Sequence, residues 1–306
     1  MTTRTIDAAV ARPPARRRSL AQKRSLQGMV YAAPTAVIVG VFFLVPLGLV
    51  FWMSLNRWRI LGSPELNFPD NYTKIPDNQL FLDSVSFTLK YTAIVTVVLS
   101  AIALGLALMV QHQRPGVGFF RMAYFLPGAV GFAAASLLFY GFYSQSSPLD
   151  SLLQSLGILD EPVNWLGTPN MALFSTISMV IWRFAGFNML ILLTGLQSIP
   201  TDVYEAARSD GASRWQMFRY ITVPLLRPTI ALMLVLSITG SLLAFDQFFI
   251  LTRGGPDGST VSMVMVIFRE GFTRFDLGSA AAICVLLLLV LVALNVLQLR
   301  VLGREP

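Results

Sequence analysis

The chain is poor in the residues that most enzymes depend on. Of its 306 residues one is cysteine, Cys284, and one is histidine, His112. A single cysteine excludes an intrachain disulfide. The same scarcity excludes the common zinc sites and most histidine-dependent catalysis. Charge is scarce as well. Only 13% of residues are charged and 55% are hydrophobic, against about 25% charged and 45–50% apolar in a soluble domain. This balance excludes an ordinary soluble enzyme and, over most of the chain, disorder. No Gly-x-x-x-x-Gly-Lys-Ser/Thr phosphate loop is present, so the chain does not bind ATP in the usual way. The net charge of +7 comes from arginines that flank apolar runs, which argues against a nucleic-acid interface.

What is present is a set of long apolar runs. A bilayer core takes about 20 apolar helical residues to cross. Runs of that size fall near Val30–Met53, Tyr91–Val110, Phe119–Tyr143, Ala172–Leu196, Pro228–Leu251 and Ser279–Leu299. They predict an all-α membrane protein of six helices, since spanning backbone must satisfy its own hydrogen bonds. With both termini inside, the cytoplasmic segments hold 15 Lys/Arg and the outer loops 6, as the positive-inside rule requires. The expected organisation is a basic cytoplasmic tail without regular structure over 1–28, a transmembrane domain over 29–302 and a cytoplasmic C-terminal tail over 303–306. Alanine and glycine at four-residue spacing, Ala101 with Gly105 and Ala103 with Ala107, suggest close helix packing. Pro127 is expected to kink the third span.

Residues 200–228 carry the most information. Asp202 with Glu205, and Ser213 with Gln216, fit two N-terminal capping boxes. Gly211 suits the stop of the first helix, and the second is expected to end near Pro224. The run Glu205-Ala206-Ala207, then Asp210-Gly211-Ala212, Phe218, Ile221, Pro224 and Pro228, resembles the EAA loop of importer permeases. These are the membrane subunits of binding-protein-dependent ATP-binding-cassette (ABC) transporters. Val223 departs mildly from the leucine often found there. Farther along, Phe245 to Pro256, with its Gly254-Gly255-Pro256 turn, and then Ser259-Thr260 are similar to permeases of the maltose and glycerol-3-phosphate type. Phe268, Gly271-Phe272, Gly278-Ser279-Ala280, Ala32-Ala33-Pro34 and Val45-Pro46 agree with that group. The resemblance covers roughly residues 28 to 302.

The resemblance implies a type I ABC importer permease fold and a chain that is not itself an enzyme. It implies a bacterial cytoplasmic-membrane protein that forms half of a path for a sugar or related polyol. It further implies a coupling helix at 202–211 seated on a separate ATPase, which alone carries ATP and magnesium. The coupling residues would be Asp202, Tyr204, Glu205, Ala206, Ala207, Asp210, Gly211, Ala212 and Pro224. The implied partners are a second permease, an ABC ATPase dimer and an extracytoplasmic solute-binding protein, which Gly254, Gly255 and Pro256 would contact.

Ionised groups at membrane depth cost about 2.5–3.5 kcal/mol on insertion scales and need a reason. Arg183 and Asp246 therefore either line a polar path, with Trp182, Asn188 and Gln247, or pair structurally. Lys90, at the outer edge of the second span, snorkels. A self-sufficient six-helix secondary transporter or channel is the alternative from another class. It would need more intramembrane carboxylates than Asp246. A membrane-embedded enzyme lacks its nucleophile or metal set.

Overall fold

The computed structural model describes residues 16–58, 63–112, 114–144 and 147–302, with side chains from residue 28 to 301. The first half of the expected N-terminal tail and the C-terminal tail 303–306 lie outside the described residues. The chain forms two compact units, Met1–Trp52 and Met53–Pro306. In the first, helix α1 (Arg16–Val39) leads through a π turn at Gly40–Leu44 into α2 (Val45–Ser54). The helix begins at Arg16, so the segment expected to lack regular structure is helical over its second half. Its arginine, leucine, alanine and glutamine residues are good helix formers.

The second unit opens with a two-stranded antiparallel ribbon, β1 (Asn56–Arg57) and β2 (Glu65–Leu66), followed by the short helix α3 (Asp70–Thr73). Asn71 ties these pieces together. Its Nδ2 donates to the Ser54 and Asn56 carbonyls, each at 2.9 Å, and its Oδ1 accepts from Asn67 at 2.8 Å. The side chain is buried, so the sequon Asn71-Tyr72-Thr73 is a structural element.

Helix α4 (Gln79–Val110) starts at Asn78, whose side chain accepts from the Phe81 amide. It ends where Arg121 donates twice, at 2.6 and 3.2 Å, to the Val110 carbonyl. That carbonyl is one of the groups a helix C-terminus leaves without an internal partner. Helices α5 (Val117–Phe125) and α6 (Phe132–Tyr143) follow. The expected third span is thus two helices, 117–129 including a 3-10 turn and 132–143, bent by 96°. This is a sharper break than the kink expected at Pro127. Helix α7 (Pro148–Ser155) lies in the next loop, and α8 (Pro169–Ser198) crosses the centre of the unit, packed on α4, α5 and α12.

After α8 come α9 (Thr201–Ser209), α10 (Arg214–Met217), a π turn at Phe218–Thr222, α11 (Val223–Leu225) and α12 (Arg227–Leu242). Helix α13 (Met263–Phe268) precedes α14 (Leu277–Leu302). Four helical runs are long and apolar enough to cross a membrane: Gly28–Ser54, Gln79–Val110, Pro169–Ser198 and Leu277–Val301. The two bent pairs, 117–129 with 132–143 and 214–225 with 227–242, raise the number to six if each is one span.

Two apolar layers hold the second unit. One joins Tyr91, Val95 and Leu99 of α4 to Met179 and Val180 of α8 and to Phe248. The other joins Ala103 and Ala107 to Met189, Leu192, Leu226 and Met233. Of the two small-residue pairs expected on α4, Ala103 with Ala107 is buried. Ala101 with Gly105 lies on the exposed face. Helices α5 and α8 approach closely at Gly186 of α8, where an added Cβ would collide with the Tyr124 carbonyl of α5.

Candidate functional site

The broken spans aim polar side chains inward. Helix α12 stops at Leu242, so the expected fifth span to Leu251 is interrupted. The Ser262 hydroxyl donates to the Ala244 carbonyl at 2.7 Å and satisfies the freed backbone there. Irregular backbone at membrane depth needs such a partner. Past the break, Gln247 is buried and donates from Nε2 to the Tyr91 hydroxyl at 3.2 Å. Tyr91 is wedged against Phe248, with centroids 4.9 Å apart, and both residues are buried.

Tyr91 and Gln247 border a cavity of about 100 Å³ between α4, α8 and α12. Its polar groups are Tyr91, Asn188, Ser237, Ser241 and Gln247, and Phe132, Phe184 and Phe187 supply aromatic faces. Asn188 donates to the Phe184 carbonyl at 3.0 Å, and its Oδ1 accepts from the Ser237 hydroxyl at 3.4 Å. Aromatic walls with a few fixed hydrogen-bonding groups suit a small polar ligand such as a sugar.

Of the five path candidates read from the sequence, the cavity brings together Asn188 and Gln247. Arg183 stands behind the wall. Its Nε donates to the Val130 carbonyl at 2.8 Å, at the break between α5 and α6. Its guanidinium carbon lies 4.1 Å from the Phe132 centroid and 4.6 Å from that of Phe184. No ion pair joins Arg183 to Asp246 among the described residues. Asp246 is exposed. Trp182 stands apart from the cavity, its ring 5.2 Å from that of Phe139. Tyr91, Ser237 and Ser241 were missed. Tyr91 and Ser241 read as ordinary span residues, and only the burial of Tyr91 on one face with Val95 and Leu99 carries a signal.

The loop after α8 is built as two short helices. Helix α9 takes Pro200 as its N-cap without a side-chain bond. The expected cap at Asp202 is therefore displaced into the first turn, where its charge favours the positive end of the helix dipole. Pro200 supplies the extended backbone, φ −60° and ψ 140°, that the cap position needs. At the other end the Ala212 amide donates to the Ala207 carbonyl at 2.9 Å, and the Gly211 amide to the Arg208 carbonyl at 3.0 Å. With Gly211 at φ +79°, this is a Schellman stop, which favours glycine. The Ser213–Gln216 capping box is present, with bonds of 2.7 and 3.3 Å. Asp202, Glu205, Ala206 and Asp210 are exposed on this loop, Ala207 and Ala212 are half-buried, and the Tyr204 hydroxyl lies 3.0 Å from Thr222 Oγ1.

The helix ends near Pro224 as expected, at Leu225, one residue beyond it. The π turn at Phe218–Thr222 carries it through Pro224, and the chain then turns by 66° before Arg227-Pro228. A π turn shifts the hydrogen-bond register, so the missing Pro224 amide leaves no gap in an i→i−4 ladder. At the far end of the unit Gly254 takes φ +81°. The Gly255 carbonyl accepts from Thr260 Oγ1 at 2.7 Å, which pins the Gly254-Gly255-Pro256 turn.

The family described as binding-protein-dependent transport system inner membrane component matches residues 101–304. The trehalose/maltose transport system permease protein MalF of Thermococcus litoralis is 33% identical over 280 residues, covering 90% of this chain and 93% of that one. The lactose transport system permease protein LacF of Rhizobium radiobacter is 30% identical over 289 residues, covering 92% and 96%. Among solved structures, a bacterial ABC transporter that imports the acidic polysaccharide alginate has a chain 25% identical to this one. It covers 92% of this chain and 99% of that one with a TM-score of 0.75.

Proposed function

Because the chain belongs to the family of binding-protein-dependent transport system inner membrane components, we propose that it forms half of a sugar path driven by a separate ATPase. It is an integral-membrane permease subunit with the type I ABC importer fold, and is not itself an enzyme. The relatives named for trehalose/maltose and lactose transport support a saccharide as cargo. The cavity between Tyr91, Asn188 and Gln247 is where this chain would meet that cargo. A second, similar permease would complete the path in a bacterial cytoplasmic membrane. An extracytoplasmic binding protein would deliver the sugar to the face carrying Gly254, Gly255 and Pro256.

The observation that carries the coupling assignment is the two-helix loop. Helix α9 is short, exposes Asp202, Glu205 and Ala206, and is closed by Gly211 against a capped second helix. Such a compact, rigid knob suits insertion into a groove on a partner. Residues 202–211 would seat on the ATPase, which alone carries ATP and magnesium. Closure of the ATPase dimer would then push α9. Thr222 follows the knob in the chain and contacts Tyr204, so the push passes through the bend at residue 226 into α12.

Glu205→Lys reverses the charge of an exposed residue and leaves the fold intact. Gly211→Val forces a β-branched residue to positive φ and distorts the knob. Both are expected to abolish sugar uptake and sugar-stimulated ATP hydrolysis at normal membrane abundance. Wild-type uptake by the two variants would refute the assignment.

A further inference from the structure

The bundle end that carries α9 also holds a second, larger cavity, of about 540 Å³. Its wall includes His112 and Arg114 from the connector after α4, Arg208 from α9, and Arg214 from α10. The connector after α4 and the distant α9–α10 loop thus converge their arginines on one space. Among the described residues no aspartate or glutamate lines it. None of the three guanidinium groups has a hydrogen bond or ion pair to a described residue. Arg121, close by in sequence, shows the contrast, because its guanidinium is engaged on the Val110 carbonyl. The rest of the wall combines apolar Leu108, in the last turn of α4, Met217 and Phe218 with Tyr204, Gln111 and Thr222. The cavity is therefore amphiphilic. It has an apolar side continuous with a membrane span and a side that offers three planar forks.

Arginine forks match phosphate oxygens in a bidentate geometry. Basic pockets between spans on the cytoplasmic side suit phospholipid headgroups. We propose that this cavity is a phosphate seat, filled by the headgroup of an acidic phospholipid of the adjoining leaflet, and that its occupancy tunes the coupling helix. Arg208 stands three residues from Glu205 on α9, so a phosphate held there bears directly on the helix that would meet the ATPase. The cytoplasmic placement of this end and the tuning of α9 rest on the function proposed above. The phosphate chemistry does not.

The test is native mass spectrometry of the purified transporter complex exchanged into mixtures of phosphatidylglycerol and phosphatidylcholine. The wild-type complex is compared with an Arg114→Ala/Arg214→Ala double variant and with an Arg219→Ala/Arg227→Ala control. The control removes two arginines of the same loop that lie outside the cavity. Each cavity arginine held against the seated headgroup is worth about fivefold in affinity for it. The double variant should therefore lose about 25-fold of its preference for phosphatidylglycerol on this chain, with the control unchanged. Because the readout is bound lipid and not transport, it stands even if the ATPase assignment fails.

A second arm measures inorganic phosphate binding to the same complexes in phosphatidylcholine nanodiscs. Arginine-dependent phosphate binding without lipid preference would keep the seat and assign its ligand to the soluble phase. Equal behaviour of wild type and double variant toward both probes would overturn the proposal. So would loss of the ATPase from the double variant with lipid retention intact, since the cavity would then receive an acidic surface of that partner.

Discussion

Replacing Gly186 by alanine tests the packing that positions the whole site. At this position an added Cβ overlaps the Tyr124 carbonyl oxygen and carbon of α5. Backbone cannot rotate away as a side chain can, so α5 and α8 must separate. Overpacking of this kind costs about 3 kcal/mol at the upper end of its usual range. The alanine returns about 1 kcal/mol of intrinsic helix propensity, which leaves a net loss of about 2 kcal/mol. For a chain of this size that corresponds to a fall in melting temperature of about 5 °C.

Gly105→Ala is the matched control. It lies in α4, and nothing stands within 4 Å of its added Cβ, so the propensity gain is expected alone. Thermal unfolding of both variants in detergent, followed by intrinsic fluorescence, makes the comparison. The separation in Gly186→Ala also strains the Arg183–Val130 bond, because Arg183 lies one helical turn away on α8. Sugar uptake should therefore fall with stability. If Gly186→Ala melts like Gly105→Ala, the close approach of α5 and α8 is wrong and the bend at 126–131 loses its support.

Tyr91→Phe removes the acceptor for Gln247 Nε2 and leaves a buried amide donor unpaired, which costs about 1–3 kcal/mol. Half-saturating sugar for uptake is expected to rise about tenfold, while abundance stays normal. In Asp150→Ala the Trp165 Nε1 donor (2.8 Å) and the Val163 amide (3.4 Å) both lose their partner. Limited proteolysis should then cut the loop between α6 and α8 faster than in wild type, and Asp150→Asn, which keeps an acceptor, should restore much of the protection. Arg183→Lys keeps a charge but not the fork lying over Phe132 and Phe184. Uptake should drop by about tenfold with little change in insertion, and uptake equal to wild type would remove Arg183 from the account.

The parts of the fold that were legible in the sequence are those decided by local chemistry. Gly211 as a stop, and Ser213 with Gln216 as a capping box, follow from bonds spanning three to five residues, and the structure contains both. The apolar runs were legible because lipid demands continuous hydrophobic helix. What escaped was decided by distant partners. The interruption after Leu242 depends on Ser262, eighteen residues beyond Ala244 in the chain. The 96° bend in the third span is supported by Arg183, 53 residues beyond Val130. On α4 the pairs Ala101/Gly105 and Ala103/Ala107 look alike as strings, and only the packing of α8 decides which is buried. Asp202 fitted a capping box, yet Pro200 already held the cap position.

The same limit applies to the cavity. Asn188 and Gln247 stood out as polar residues in apolar runs. Tyr91 and Ser237 did not, since tyrosine at a span end and serine within a span are common. Only the fold shows that all four share one wall.

The central claim is that α9 is the element through which an ATPase moves the bundle. Site-directed cross-linking tests it most directly. With Cys284 replaced by alanine and a single cysteine placed at Ala206, the complex is treated with a short bifunctional thiol reagent. The reagent's partner is a series of single cysteines across the ATPase surface. The account predicts a cross-link confined to one groove of the ATPase, with a yield that changes when ATP binds. A cysteine at Ala206 that labels freely in solution yet never joins the ATPase, in a complex that still transports, would contradict it.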